Sequence, residues 1–251
     1  MFSLAGKTAL ITGSSRGLGY ILARGLGKAG AMIVLNGRHE TSLKRAADDL
    51  TSEGLIVSFA VFDVTKEEQI RDQINLIESH TGGIHILVNN AGIQKRKPLH
   101  QMSLEEWQSV MDINLTGAFL TARETVKGMI SRKNGKIINI CSLMSEVGRE
   151  TIGNYSASKG GLKMLTRSMA VEWAKYNIQV NGIGPGYFLT DLTKPLADDP
   201  EFDTWLKRRT PAGRWGNPEE LVGTAVFLSS DASSYINGQI IYVDGGFLAS
   251  V

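Results

Sequence analysis

The chain has 251 residues, 42% of them hydrophobic, and a formal net charge of +2. This size is sufficient to bury one sizeable core, while the small charge and the scattered basic residues argue against nucleic acid as a partner. A single cysteine, Cys141, excludes an internal disulfide and suits a reducing cytosol. A strand pattern begins within a few residues of Met1, and no apolar run approaches the roughly 18 residues of a membrane helix. We therefore expect a cytoplasmic protein with neither a signal peptide nor a membrane segment.

Short runs of β-branched and aliphatic residues alternate with longer amphipathic stretches. The strand pattern occurs at residues 8–12, 31–36, 56–61, 84–88, 136–140, 178–183 and 240–243. The helical pattern fills the intervals, for example at 17–29, 40–53, 67–80, 104–131 and 155–175. This alternation predicts βαβ units in one α/β domain of the Rossmann type, a doubly wound parallel sheet of about seven strands with helices on both faces. Ligands then bind at the carboxyl ends of the strands.

The stretch 187–215 interrupts this alternation. It is polar, contains Pro195, Pro200 and Pro211, and follows the end of a predicted strand. A long irregular segment beside the ligand edge of a sheet is often a lid. We predict a substrate lid at 187–215 within the single domain; the alternative is an ordinary surface insertion.

A glycine-rich turn follows the first predicted strand. Gly13, Gly17 and Gly19 have the spacing G-x-x-x-G-x-G and lead into the first helix. Gly13 permits a tight turn, and the other two let backbone amides and the helix N-terminus approach a pyrophosphate. The spacing alone is a weak signal, but its position between strand and helix favours a dinucleotide site. The predicted cofactor contacts here are Gly13, Ser15, Arg16, Gly17, Leu18 and Gly19.

The end of the second strand indicates which dinucleotide binds. An acidic residue at this point would hold the ribose 2′-hydroxyl of NAD, whereas this chain has Asn36, Gly37 and Arg38. Arg38 and Arg16 offer guanidinium groups, which bind phosphate bidentately. We therefore predict NADP rather than NAD, with Asn36 and Arg38 among the cofactor contacts. The alternative is that both arginines are ordinary surface charges.

Tyr155 and Lys159 are the predicted acid/base pair. Four positions apart, they share one face of a helix. A phenol with a pKa of about 10 is a poor base at neutral pH, and a nearby ammonium favours the phenolate. Ser142, at a predicted strand end, can reach the same substrate oxygen, and Asn114 is a polar residue inside a mostly apolar helix pattern. The alternatives are two unrelated helix residues and a buried asparagine satisfied by the backbone.

These motifs together resemble the short-chain dehydrogenases/reductases over essentially the whole chain. The matching positions are 12–19, 63–64, 89–92, Asn114, Ser142, 155–159, 185–186 and 243–246. The resemblance implies hydride transfer with Tyr155 as general acid/base, while Ser142 orients the reacting oxygen. It also implies that Lys159 binds the nicotinamide ribose and that Asn114 holds a water in the proton relay. An NADP-binding sensor without turnover is the alternative of a different class.

The resemblance further implies a set of cofactor contacts and an assembly. Asp63 and Val64 would bind the adenine end, and the adenosine ribose would be lined by Asn90, Ala91 and Gly92. The nicotinamide would be flanked by Pro185, Gly186, Phe188 and Thr190. A homotetramer is implied, with the helices of Asn114 and Tyr155 in one interface. The four histidines, His39, His80, His85 and His100, lack ligand spacing, so we expect no metal.

The predicted substrate is a small-molecule sugar acid. The segments 91–96, 138–146, 148–152, 163–167, 182–187 and 207–212 resemble the family members that interconvert D-gluconate and 5-dehydro-D-gluconate. A sugar acid needs a cation for its carboxylate, and Arg96 is the predicted ligand. The other predicted substrate contacts are Gln94, Ser142, Met144, Arg149, Tyr155 and Tyr187.

Alternatives to this substrate remain open. Lys95, Arg96 and Lys97 read equally well as a solvated basic turn, and Arg149 as the ion-pair partner of Glu146 or Glu150. Within the family, 2-dehydro-3-deoxy-D-gluconate and 3-oxoacyl-carrier-protein are rival substrates. The reductases of the carrier protein resemble one another in an arginine before the helix glutamate, and here Val171 precedes Glu172.

Overall fold

The structure is a computed structural model that describes residues 1–190 and 193–250. Its centre is one parallel sheet with the strand order β3-β2-β1-β4-β5-β6-β7. The strands are β1 (Thr8–Ile11), β2 (Met32–Gly37), β3 (Val57–Val61), β4 (Ile86–Asn89), β5 (Gly135–Ile140), β6 (Ile178–Pro185) and β7 (Ile240–Val243). All seven predicted strands are confirmed, with bounds that differ by at most two residues at either end.

Consecutive residues of the central strands are buried because helices cover both faces of the sheet. In β1, Ile11 belongs to one apolar cluster and Leu10 to the cluster on the opposite face. The helices are α1 (Gly17–Lys28), α2 (Glu40–Ser52), α3 (Glu67–Thr81), α4 (Leu104–Met111), α5 (Gly117–Arg132), α6 (Gly153–Trp173), α7 (Lys194–Ala197), α8 (Pro200–Arg209) and α9 (Val222–Ser229). The predicted doubly wound α/β architecture is confirmed.

The strand order reverses between β1 and β4, which lie side by side. From β1 the chain proceeds outward through β2 and β3, and it then crosses to β4 on the other side. In open α/β sheets the crevice at such a switch point, beyond the carboxyl ends of the strands, is where ligands bind. The glycine-rich turn after β1 and the segment after β4 meet there.

The helix predicted at 104–131 is interrupted by a π-helical turn, Asp112–Thr116, between α4 and α5. The start of α4 is fixed by a capping box of Ser103 and Glu106. A π turn accommodates one extra residue in the helix, which changes the direction of the following side chains. Asn114 lies in this turn and is buried, so the helix departs from its regular period at a predicted catalytic residue.

Lys136 is a buried cation on β5, with 4% of its surface exposed. Burial, together with the charge of Lys7, lowers its pKa to about 8 from the ordinary 10.5. Between these values the unfolded chain binds more protons than the folded chain, so this lysine makes the stability rise with pH. We expect Lys136→Met to increase the free energy of unfolding near pH 7 by about 2 kcal/mol and to flatten the rise above about pH 8.

Urea denaturation near pH 7 and near pH 10 measures both effects of this change. Lys44→Met, at an exposed position of α2, is the matched control and should leave the pH dependence as it is. A Lys136→Met variant that is less stable than the parent near pH 7 would contradict the account.

Within the described residues, no helix combines the length and apolar character required to cross a membrane. The same residues contain no group of three or more His, Cys, Asp or Glu side chains arranged to hold a metal ion.

Candidate active site

The turn after β1 is held against the segment after β4. Asn90 Nδ2 donates to the carbonyls of Thr12 and Gly13 at 2.9 and 3.0 Å, and the Asn90 and Ala91 amides donate to Thr12 Oγ1. Gly13 has a φ of +62°, and a Cβ at this position would lie 2.9 Å from Cα of Ala91. Only glycine fits such a turn. The sequence-predicted residues of the two segments therefore form one backbone surface at the switch point.

The mouth of this turn is open at Gly17. Its φ is +60°, and a Cβ built there would meet no atom within 4 Å. Arg16, directly before α1, is exposed and has an extended backbone. The first turn of α1 thus presents backbone amides and a guanidinium to open space, an arrangement suited to a phosphate group. Leu18 packs against the core, and its predicted cofactor contact stays a prediction, as does that of Ser15.

Asn36 lies beneath this turn and does not face the crevice. Its Nδ2 donates to the Ala60 and Phe62 carbonyls at 3.3 and 3.0 Å, and its Oδ1 accepts from the Gly13 amide. The side chain is 1% exposed. Asn36 therefore joins the ends of β1, β2 and β3, and its predicted contact with the cofactor stays a prediction.

Arg38 is the exposed cation at the end of β2. Its side chain is 61% exposed, and its Nη1 lies 4.0 Å from Asp63 Oδ2. Asp63 itself is fixed by the Thr65 amide and hydroxyl, which both donate to Oδ1 at 2.9 Å. Val64 is buried, with its backbone oxygen against Gly117. The pair of Arg38 and Asp63 leaves most of the guanidinium accessible to a ligand.

Ser142 and Tyr155 come together at the carboxyl end of β5. Ser142 caps a short 3-10 turn, Leu143–Ser145, and its Oγ accepts from the Met144 amide at 3.2 Å. Tyr155 is in the first turn of α6, half-buried in an apolar cluster with Leu143, Met144 and Tyr187. Burial raises the pKa of the Tyr155 phenol, and the nearby Ser142 hydroxyl offsets only part of this rise. The predicted serine and tyrosine are thus adjacent.

Lys159 lies one helical turn after Tyr155 and is 4% exposed. Its Nζ donates to the Ile140 carbonyl at 2.5 Å and lies 5.7 Å from the centroid of the Tyr155 ring. Burial lowers the pKa of Lys159 to about 8. Burial raises the pKa of the Tyr155 phenol, and the Lys159 ammonium is hydrogen-bonded to the strand end, so the effect of Lys159 on the phenolate stays a prediction.

Asn114 is fully engaged by the protein. Its Oδ1 accepts from the Ile93 amide at 2.8 Å, and its Nδ2 donates to the Ile93 carbonyl at 3.0 Å and to Ser158 Oγ at 3.1 Å. The Ser158 hydroxyl donates in turn to the Tyr155 carbonyl. The side chain therefore ties the segment after β4 to the first turn of α6. In this structure Asn114 is a buried asparagine whose hydrogen bonds are made mainly with the backbone. The water that it would hold in a proton relay stays a prediction.

The residues expected beside the nicotinamide lie where β6 ends. Pro185 is buried, and the Gly186 amide donates to the Val243 carbonyl at 2.8 Å. Phe188 is 5% exposed and packs in the core, so its side chain does not face the crevice. Thr190 contacts the Thr193 hydroxyl. The predicted contacts of these residues and of Gly92 with the cofactor stay predictions.

Two arginines flank the crevice on the substrate side. Arg149 is half-buried, with its guanidinium carbon 4.4 Å from the centroid of the Phe202 ring and its Nη1 3.4 Å from the Tyr187 hydroxyl. Arg96 is exposed, and its Nε contacts Gln94 Oε1 at 3.4 Å. Partial burial lowers the pKa of Arg96, and the positive charge of Arg149 lowers it further.

The pairing of Arg149 with Glu146 or Glu150 is wrong. Glu146 accepts from Lys163 at 2.6 Å and from the Tyr242 hydroxyl at 2.6 Å, which draws its carboxylate toward β7. Within residues 1–190 and 193–250, neither Arg149 nor Arg96 forms an ion pair with a carboxylate, whereas Lys97 pairs with Glu106. Both guanidinium groups therefore keep donors that no carboxylate of the described residues occupies, and Arg149 contacts Tyr187, which packs with Tyr155.

The segment 187–215 is more regular than its composition predicts. It contains α7 and α8, and Asp191 and Leu192 within it lie outside the described residues. Asp199 caps α8 by accepting from the Glu201 and Phe202 amides, with Pro200 in the first turn. Phe202 was missed as a site residue, although its spacing to Trp205 and Leu206 is that of one helix face.

Comparison with known proteins agrees with this geometry. A family profile described as enoyl-(acyl carrier protein) reductase matches residues 13–248. The 5-keto-D-gluconate 5-reductase of Escherichia coli K12 is 51% identical over 251 residues, with 100% of this chain and 99% of that protein covered. A 2-dehydro-3-deoxy-D-gluconate 5-dehydrogenase of Formosa agariphila is 50% identical over 253 residues, covering 100% and 96%.

A solved structure is similar over the same length. It is the crystal structure of a gluconate 5-dehydrogenase from Burkholderia cenocepacia J2315 in complex with NADP and tartrate, with a TM-score of 0.98 and 50% identity, covering 100% of this chain and 98% of that one. The matched profile, the full-length relatives and the sheet order agree with the motifs quoted from the sequence. The chain belongs to the short-chain dehydrogenase/reductase family.

Proposed function

We propose that the protein interconverts D-gluconate and 5-dehydro-D-gluconate by hydride transfer with NADP. The observation that carries the proposal is a pair of guanidinium groups on the substrate side: Arg149 contacts Tyr187, which packs in one cluster with Tyr155, and the charge of Arg149 acts on Arg96. A guanidinium binds a carboxylate bidentately, and the crevice offers hydroxyl and amide groups for the other oxygens of a sugar acid. The names of the full-length relatives support the same substrate class.

The crevice fits NADP. Gly13 has a positive φ and lies so close to Ala91 that a side chain at Gly13 would clash, so the turn presents bare backbone to a ligand. Arg16 and Arg38 are cations available for phosphate. Relatives of solved structure hold NADP, which supports this assignment. When bound, the nicotinamide supplies or accepts the hydride. Lys159 would hold its ribose, and Asp63 the adenine end.

The protein's own groups handle the proton. In the reducing direction the Tyr155 hydroxyl donates its proton to the carbonyl oxygen, and in the oxidising direction the phenolate removes it from the hydroxyl. Ser142 shares the same oxygen, since its Oγ is held in place by the Met144 amide. We expect the Lys159 ammonium to stabilise the phenolate that forms on Tyr155 as the proton leaves. Asn114 holds the segment after β4 in register with α6.

Arg38 is expected to set the preference for NADP over NAD. Arg38→Leu should lower kcat/KM with NADPH by about 10- to 100-fold, because one charge-assisted contact to the 2′-phosphate is lost. The same variant should leave kcat/KM with NADH nearly unchanged. Initial rates with both cofactors measure this. Arg45→Leu, on the exposed side of α2, is the control, and an unchanged NADPH preference in Arg38→Leu would contradict the assignment.

Oxidation of 2-dehydro-3-deoxy-D-gluconate is the second candidate activity. It is favoured by the 50% identity to an enzyme of that name, which equals the identity to a gluconate 5-dehydrogenase. We further propose a cytoplasmic homotetramer with α5 and α6 in one interface, and a lid formed by 187–215. The exposed side chains of Phe119 and Met164 on those two helices are consistent with such an interface.

Product analysis separates the candidates. We expect the purified protein to reduce 5-dehydro-D-gluconate with NADPH to a product identical to D-gluconate by NMR. In the oxidising direction with NADP+, kcat/KM for D-gluconate should be higher than kcat/KM for 2-dehydro-3-deoxy-D-gluconate. Tight NADPH binding without turnover of either compound would favour a sensor. A higher kcat/KM for a 3-oxoacyl thioester would reject the sugar-acid proposal.

A further inference from the structure

Arg149 is held by the segment 187–215 and not by its own loop. The Phe202 ring of α8 covers one face of the guanidinium at 4.4 Å, and the Tyr187 hydroxyl meets one of its edges at 3.4 Å. A guanidinium stacked on a ring keeps its N–H groups in the ring plane free for hydrogen bonds. In the described part of the chain those groups meet no carboxylate. Arg149 therefore presents donors beyond the one that contacts Tyr187, and its guanidinium is held in place by the Phe202 ring.

The partners of Arg149 belong to one aromatic cluster. Tyr187 makes edge contacts with Phe202 at 5.6 Å, with Trp205 at 6.4 Å and with Trp215 at 5.9 Å between ring centroids. Trp215 Nε1 donates to Asp203 at 2.8 Å, which ties the far end of the segment to α8. Aromatic pairs of this geometry each add to the stability of the cluster. The position of Arg149 is thus coupled to the packing of α8.

Arg96 and Arg149 repel each other where they stand. The charge of Arg149 lowers the pKa of Arg96, and among residues 1–190 and 193–250 neither guanidinium forms an ion pair. Like charges brought together disfavour the charged state unless an anion joins them. A carboxylate on the substrate can join them, because Arg149 contacts Tyr187, which packs in the same apolar cluster as Tyr155.

We propose that Phe202 and Tyr187 are positioning residues for Arg149, and that they select substrates bearing a carboxylate by holding this cation beside Arg96. The inference rests on the proposed sugar-acid activity. It assigns the selection of acidic substrates to Phe202 on α8 and to Tyr187, which act through Arg149. Binding of the acid would at the same time fix α8 through Arg149. Neutral polyols, which offer nothing to the two cations, would gain nothing from the contact.

The test compares D-gluconate with D-glucitol, which has the same C5 alcohol and a CH2OH group in place of the carboxylate. Phe202→Leu keeps an apolar side chain and removes the ring face. We expect KM for D-gluconate to rise about 3- to 30-fold with kcat changed less than about twofold, and kcat/KM for D-glucitol to stay the same. Phe202→Tyr keeps the ring and should retain the parent KM. Tyr176→Leu removes a ring from beneath the Lys175 ammonium beyond the far end of α6 and is the matched control.

A second measurement does not depend on turnover. In a Tyr155→Phe background with NADP+ bound, D-gluconate should change the tryptophan emission, because Trp205 and Trp215 pack on Tyr187. D-glucitol at the same concentration should not change it, and Phe202→Leu should weaken the D-gluconate response by the same factor as KM. If the parent turns over D-gluconate and Phe202→Leu leaves its KM and this response unchanged, the inference is overturned while the proposed activity stands. If the parent turns over no sugar acid and D-gluconate does not change its tryptophan emission, both the proposed activity and the inference about Phe202 and Tyr187 are wrong.

Discussion

Replacing Tyr155 by phenylalanine is expected to lower kcat for the reduction of 5-dehydro-D-gluconate by about 10²- to 10⁴-fold. The change removes one hydroxyl and leaves the ring in its apolar cluster with Leu143 and Met144. The carbonyl oxygen then loses its proton donor, since Ser142 alone supplies a hydroxyl of ordinary acidity and Lys159 is engaged by the Ile140 carbonyl. Single-turnover rates with bound NADPH measure the effect on the chemical step directly.

The dissociation constant for NADPH should remain within about twofold of the parent in this variant, because the glycine turn and Arg38 are untouched. Tyr235→Phe is the matched control: its hydroxyl is fully exposed, and its kcat should equal that of the parent. A Tyr155→Phe enzyme that retains more than about a tenth of the parent kcat would remove Tyr155 from the assigned role.

Gly19→Ala is expected to weaken NADPH binding by about 10- to 100-fold. A Cβ at Gly19 would lie 2.5 Å from the Gly13 carbonyl oxygen and would overlap Asn90 Nδ2. That amide nitrogen donates two of the hydrogen bonds that hold the turn after β1 to the segment after β4. Because both neighbours are fixed, the turn itself must shift, and overpacking of this kind costs about 1–3 kcal/mol.

Fluorescence titration with NADPH measures this loss, and thermal unfolding shows whether the rest of the fold survives. Gly223→Ala is the matched control: it lies in α9, meets no atom within 4 Å and should bind NADPH like the parent. If Gly19→Ala binds NADPH with the parent affinity, then close contact between the two segments is not required for the cofactor site.

The central strands of the sheet were predictable because they are buried on both faces. Short, mostly aliphatic runs such as those of β1 and β4 identify such strands without any knowledge of their neighbours. The glycine turn was predictable for a similar reason, since Gly13 must adopt a positive φ. Such backbone requirements restrict the residue type at a position, so the turn after β1 could be predicted from the sequence together with the strands.

The substrate side depends on contacts between distant segments. No pattern near Arg149 indicates that Phe202, on another element, lies under its guanidinium, and the local acidic neighbours suggested a wrong partner. The prolines and polar residues of 187–215 concealed α8, whose apolar face is only three residues wide. The interruption at Asn114 was equally hidden, because a π turn has no composition of its own.

The pKa values of Tyr155 and Lys159 likewise depend on burial, which the sequence does not reveal. Spacing alone suggested that Lys159 would depress the pKa of Tyr155, which requires the ammonium to act on the phenol. In the structure both groups are withdrawn from water, so burial raises the pKa of Tyr155 and lowers that of Lys159 to about 8. The balance between desolvation and charge depends on the depth of each group, and residue spacing does not encode depth.

The measurement that tests the central claim most directly is the rate of NADPH oxidation by the purified protein across matched carbonyl substrates. The panel comprises 5-dehydro-D-gluconate, its uncharged ketose counterpart L-sorbose and a 3-oxoacyl thioester, each assayed with NADPH and with NADH. The arginine pair and the tyrosine group predict the highest kcat/KM for 5-dehydro-D-gluconate with NADPH. Equal values for the acid and the ketose, or a higher value for the thioester, would contradict a sugar-acid reductase.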